Sequence, residues 1–262
     1  MPTLLLREHP IGKVKGVLFD KDGTLSNSES HLLKLAKSRI QIASQLLTQQ
    51  GASGNEVQQL EELLSKAYGL TNAGISPNGT IAIGSRSNNL ISTATVICLM
   101  GKTWPQGLEL STQIFKLVDD LEEGDNGKEG QRSLLPGVRE ALQRLREADV
   151  TCALISNDSQ AGIQSFLSSN NIQSLFSNLW SADHYPTKPH PSAVKGLCKK
   201  LNLHPSECAL IGDADSDLLM AHQSGIGVTL GYTAGWTKKP QLTKHQHLIN
   251  NWNELTIRQS KH

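Results

Sequence analysis

The sequence predicts an α/β fold: a parallel sheet with helices on both faces, interrupted after its first strand by a helical insert. Three observations predict it. Aliphatic runs that end at polar or glycine-rich turns recur at 14–19 (VKGVLF), 150–155 (VTCALI), 208–211 (CALI) and 226–230 (IGVTL). Runs of that length followed by turn residues read as buried strands. Stretches of helical spacing separate the later runs, and strands alternating with helices indicate a parallel sheet. The long segment 28–133 shows helical spacing and no convincing strand.

Along the chain, the run 14–19 is the first strand and ends at Asp20. Within the insert, 31–47, 55–68 and 108–121 carry helical patterns, with Ile40, Ala43 and Leu47 on one face and Leu60, Leu63 and Leu64 on another. Residues 69–86, rich in Gly, Asn and Ser, read as a loop or small hairpin, and 122–132 (EEGDNGKEGQR) as a linker. The core resumes at Leu135-Pro136-Gly137-Val138, where Val138, Leu142 and Leu145 share a helical face. Further helices are expected at 192–203 and 217–223. This divides the chain into a core of 1–27 and 134–262 and a helical domain of 28–133.

Composition narrows the classes of function. With 262 residues, a net charge of +1 and the two signs interspersed, the chain lacks the basic face that nucleic-acid binding needs. The triplet Leu4-Leu5-Leu6 is too short for a signal-peptide core. The apolar stretch 94–100 is far shorter than the ~20 residues of a membrane helix. Cys98, Cys152, Cys198 and Cys208 form no C-x-x-C pair, which fits a reducing, cytoplasmic setting. The nine histidines show no metal-site spacing, and Trp180 and Trp236 read as packing residues.

In an open parallel sheet, functional groups collect beyond the carboxyl ends of the strands. The polar residues there are Asp20 and Asp22, then Ser156, Asn157 and Asp158, then Asp213, Asp215 and Asp217, with Lys188 between the last two groups. Each element alone has an ordinary explanation as a turn, an N-cap or a surface charge. Together, in this order, they suit phosphoryl transfer from a monoester. A carboxylate attacks phosphorus and splits hydrolysis into two easier steps. Mg²⁺ prefers oxygen ligands and needs few of them from protein. An ammonium and a hydroxyl offset charge on the equatorial oxygens. A second carboxylate protonates the leaving alcohol, worth roughly 10²–10⁴-fold.

These segments resemble the four motifs of the haloacid dehalogenase-like (HAD) hydrolases, in particular the phosphoglycolate phosphatase-like subgroup. Asp20-Lys21-Asp22-Gly23-Thr24 resembles D-x-D-G-T, and Leu154-Ile155-Ser156-Asn157 the second motif. Lys188-Pro189-His190-Pro191 resembles the third and Gly212-Asp213-Ala214-Asp215-Ser216-Asp217 the fourth. The resemblance implies a Rossmann-like core with an inserted helical cap that closes over the site and selects the leaving group. It implies Asp20 as nucleophile and Mg²⁺ ligand, and Asp22 as general acid/base with its carbonyl on the metal. Ser156, Asn157 and Lys188 would bind phosphate, and Asp213 the metal. Thr24 and Asp217 would support them, while Asp215 stands at a variable position. Lys21 replaces an apolar residue of many relatives, and its side chain is expected to point away from the phosphate. Arg86 in the insert is a candidate substrate contact from the cap. The partner is a small phosphorylated metabolite, with no nucleic acid or membrane involved and a homo-oligomer left open. Asp22 argues against a dehalogenase, which protonates no alkoxide. A sugar-phosphate phosphomutase and a non-catalytic scaffold on the same fold are the alternatives.

Overall fold

The computed structural model describes residues 1–124 and 132–259. They belong to two compact units, one of Met1–Ser28 with Arg132–His262 and one of Glu29–Gln131.

The first unit is built on six parallel strands: β1 (Gly16–Phe19), β2 (Thr151–Ile155), β3 (Asn178–Trp180), β4 (Cys208–Gly212), β5 (Val228–Tyr232) and β6 (His247–Ile249). Their order across the sheet is β6-β5-β4-β1-β2-β3. Every residue of β1, β4 and β5 is buried, as expected of parallel strands covered on both faces. Alternation splits the core. Val17 and Phe19 pack with Leu142, Leu154, Phe166 and Trp252 on one face. Leu18 packs with Ala153, Ile155, Leu197, Leu210 and Leu218 on the other. The chain winds outward from β1 in both directions, so the topological switch lies between β1 and β4. Asp20 and Asp213 leave those two neighbouring strands.

The helix that reopens the core, Val138–Glu147, buries Val138, Ala141, Leu142 and Leu145, the expected stripe. Several elements carried no sequence signal. β3 and β6 are three residues long and begin with Asn178 and His247, so neither forms an apolar run. Leu4 and Leu5 are buried in a strand, Thr3–Leu6, that pairs with His9–Lys13 and Leu255–Arg258 in a separate antiparallel sheet. A short antiparallel ribbon joins Ser26–Asn27 to Ser133–Leu134.

The second unit holds four long helices, α1 (Glu29–Gln49), α2 (Gly54–Tyr68), α3 (Arg86–Leu99) and α4 (Trp104–Gly124). Ser53 starts α2 through a capping box with Glu56, a device worth about 1 kcal/mol. The segment 69–86 contains both a hairpin, Leu70–Thr71 with Gly74–Ile75, and a single helical turn, Thr80–Ile83. On α1 the buried stripe is Leu32, Ala36, Arg39, Ala43 and Leu47, with Ile40 only half-buried. Arg39 takes the interior place because its guanidinium lies 4.0 Å over the Phe115 ring. Of the linker expected at 122–132, residues 125–131 lie outside the described residues, and α4 runs on to Gly124.

Candidate active site

Asp20 follows β1, and its backbone N–H donates to the Ile211 carbonyl, which ties the end of β1 to β4. The next residues turn tightly: the N–H groups of Thr24, Leu25 and Ser26 all donate to the Lys21 carbonyl. Gly23 sits at φ +75°, and a Cβ there would lie 2.2 Å from the Trp236 Nε1. Only glycine satisfies both conditions.

The side chains of Asp20, Asp213 and Asp217 converge, each buried, with one potential ligand atom from each lying within 4.8 Å of the others. Lys188 reaches into this group. Its Nζ is 2.6 Å from Asp20 Oδ1, 2.9 Å from Asp217 Oδ1, and donates to the Ile155 carbonyl at 3.4 Å. That last contact places the ammonium at the carboxyl end of β2, where Ser156 begins. Ser156 is buried, and its hydroxyl accepts from the Asp158 N–H at 3.1 Å. Asn157 follows it, partly buried. Thr24 Oγ1 donates to Asp213 Oδ1 at 3.0 Å.

Three buried carboxylates face one buried ammonium, so the cluster carries excess negative charge. Burial pushes the Asp20 carboxyl up to about 6; Lys188 restrains the rise and Asp217 adds to it. Burial, then repulsion from Asp20, pushes Asp213 well above the usual carboxylate range, against hydrogen bonds from Trp236 and Thr24. For Lys188, burial opposes the charge, but Asp20 and Asp217 outweigh it and the amine is raised. A hard divalent cation fits this oxygen-only, charge-excess donor set. Asp217 stands inside the cluster as well as beside Lys188, so a direct ligand role is open to it.

Asp22 lies in a separate group. Lys21 is fully buried, with Nζ 2.6 Å from Asp22 Oδ1 and 3.1 Å from Asp158 Oδ2. Arg132 joins it, 3.0 Å from Asp158 Oδ2 and 3.7 Å from Asp22 Oδ1, and Ser28 donates to the same Asp22 oxygen. Burial would raise the Asp22 carboxyl, but Lys21 and Arg132 with the Lys21 and Ser28 hydrogen bonds hold it below the usual range. Lys21 therefore turns towards the acid/base candidate. A charged residue in an otherwise apolar approach to a turn, with Asp158 two residues beyond Ser156, was the available signal. Trp236 is the second unexpected neighbour: its indole N–H donates to Asp213 Oδ2 at 2.5 Å.

Asp215 and Arg86, the remaining candidates, have other partners, as do two histidines near Lys188 in sequence. Asp215 accepts from the N–H groups of Thr243 and Lys244 and from the Thr243 hydroxyl, fixing a loop. His184 stacks on Trp180, and His190 caps a helix by accepting from the Ser192 N–H. Arg86, in the second unit, is held 2.5 Å from Asp119 and over Phe115.

Residues 14–225 match the haloacid dehalogenase-like hydrolase family, and the chain belongs to that family. Within it the chain is similar to phosphoglycolate phosphatases. That of Vibrio vulnificus (strain CMCP6) is 32% identical over 131 residues, covering 48% of this chain and 57% of the relative. The chain thus spans about half the length of the curated relatives it matches. In fold, it is similar to the crystal structure of a predicted phosphoglycolate phosphatase from Haemophilus somnus 129pt. The TM-score is 0.65 at 20% identity, over 91% of this chain and 95% of that one. A dehalogenase shares the fold at a TM-score of 0.53 and 16% identity, over 93% and 96% of the two chains. The fold therefore leaves the reaction to be argued from the site. No described helix is long and apolar enough to cross a membrane.

Proposed function

We propose that this chain is a magnesium-dependent phosphatase that hydrolyses a small phosphomonoester through an aspartyl-phosphate on Asp20. The observation that carries the proposal is Lys188 bridging Asp20 and Asp217 inside the acidic cluster, with Asp22 two residues from Asp20. Asp22, ionised before the ester binds, takes a proton from the phosphate monoanion; an Asp20 oxygen then attacks phosphorus and the ester oxygen leaves, taking that proton from Asp22. Water, deprotonated by Asp22, then attacks the acyl phosphate and frees Asp20. Lys188, the Ser156 hydroxyl and Asn157 hold the phosphoryl oxygens, and Lys188 keeps Asp20 aimed. Asp20, Asp213 and the Asp22 carbonyl would hold Mg²⁺, which would supply positive charge against the dianionic ester. Thr24 fixes Asp213, and Asp217 fixes Lys188.

Phosphoglycolate is the first substrate candidate, because the curated relatives are phosphoglycolate phosphatases. The Arg86 pairing with Asp119 favours a packing role over the substrate contact first expected of it. Four cysteines without a disulfide support a reducing, cytoplasmic location. The test is phosphate release from a panel of phosphomonoesters, with Mg²⁺ or EDTA, by wild type and Asp20→Asn. Mg²⁺-dependent release lost in the variant is expected. Equal release by both proteins sinks the nucleophile, and no release from any ester sinks the phosphatase.

A further inference from the structure

Asp213 is gripped on both oxygens, Oδ1 by the Thr24 hydroxyl at 3.0 Å and Oδ2 by the Trp236 indole at 2.5 Å. Donors on the two oxygens fix the plane of a carboxylate. An indole N–H has no acceptor capacity, so Trp236 can hold Asp213 but cannot itself bind a cation. The contact is built rather than incidental. Trp236 is 5% exposed, in the loop that follows β5. Two glycines make its approach feasible. A Cβ on Gly23 would lie 2.2 Å from the indole nitrogen, and one on Gly235 would lie 1.7 Å from the Gly23 carbonyl oxygen. The loop at 235–236 is thus pressed onto the turn that carries Asp20 and Asp22, and the indole reaches Asp213 from there.

We propose that Trp236 is a positioning residue for the divalent cation: its N–H orients Asp213 so that the remaining lone pairs face Asp20 and Asp217. This deepens the phosphatase reading and rests on it for the identity of the cation. Partners that orient a metal's ligands typically contribute 10–100-fold in metal affinity. An aromatic that only filled space would be replaceable by phenylalanine without such an effect.

The test is Mg²⁺ binding to the full chain by titration calorimetry, for wild type, Trp236→Phe, Trp236→His and, as a control, Trp104→Phe at an exposed position on α4. Trp236→Phe should raise the Kd about tenfold or more. Trp236→His, which retains a ring N–H, should recover part of that loss, and Trp104→Phe should match wild type. An unchanged Kd in Trp236→Phe overturns the proposal. In case the variants do not fold, the four indole N–H signals of the ¹⁵N-labelled wild type are followed during the same Mg²⁺ titration. One of them should shift with the Kd of binding, and four unmoved signals overturn the proposal. The two readings fail separately. Mg²⁺ binding with the indole shift but no phosphate release removes the phosphatase and keeps Trp236. Phosphate release with an unchanged Kd in Trp236→Phe does the reverse.

Discussion

Lys188 and Asp20 form a buried ion pair, Nζ to Oδ1 at 2.6 Å, between residues 168 positions apart in sequence. The amine is the one positive charge set against Asp20, Asp213 and Asp217 in that cluster among the described residues. Removing it leaves buried carboxylates uncompensated. Lys188→Met is therefore expected to lose roughly 3–5 kcal/mol of stability in the metal-free protein. Part of that loss should return when Mg²⁺ is added, as read by denaturant unfolding. Its kcat should fall at least ~100-fold, the scale of losing one preorganised charge on the transition state.

The pH dependence of stability follows from the same cluster. Asp20, raised to about 6, contributes stability below the unfolded-state carboxylate value that is lost as pH rises through about 6. Asp213, also raised, has the same sign. Asp22 is lowered, so its contribution is lost only as pH falls below the usual carboxylate range. Between pH 5 and pH 7.5, Asp20 by itself should therefore cost protein in EDTA about 1.4 kcal/mol, and Asp213 adds to the loss with the same sign. Mg²⁺ should flatten the curve. A melting temperature in EDTA that rises across this window would contradict the charge assignment.

Asp22→Asn separates acid catalysis from nucleophilic attack. With an alkyl phosphate, whose alkoxide must be protonated, kcat should fall roughly 10²–10⁴-fold. Phosphoenzyme formation from an aryl phosphate with an acidic phenol should fall much less, because that leaving group departs unprotonated. Equal losses in single-turnover measurements on both esters would remove Asp22 from the acid role.

Lys21→Met tests the second charged group. It leaves Asp22 and Asp158 without their shared buried cation, with Arg132 alone in place. Both carboxylates keep some solvent contact, so the loss should be smaller than at Lys188, about 1–3 kcal/mol. Thermal unfolding checks it, and Lys21→Leu should behave alike if the charge and not the chain length matters.

Gly23→Ala addresses the turn. A β-carbon at φ +75°, 2.2 Å from the Trp236 nitrogen, must displace the indole or the turn. A left-handed conformation alone costs an alanine roughly 1–2 kcal/mol, so the total should exceed that. The tryptophan fluorescence spectrum should change with it.

Much of the core was legible in one dimension. The four aliphatic runs at 14–19, 150–155, 208–211 and 226–230 correspond to β1, β2, β4 and β5, because a strand buried on both faces has to be apolar throughout. β3 and β6, three residues each with a polar start, carry too little apolar surface to be seen. The acidic groups were readable because Asp20 and Asp213 directly follow buried strands, and the ends of those strands are visible in sequence. By itself the sequence determined which carboxylates follow the legible strands and which lysine lies between them. Tertiary structure alone decided which charges meet. Lys188 crosses to Asp20 and Asp217, Lys21 folds back onto Asp22 and Asp158, and Trp236 arrives on Asp213 from a distant loop. Spacing cannot encode the contacts of Lys188 and Trp236, which depend on strand order and, for Trp236, on the close approach that Gly23 and Gly235 permit.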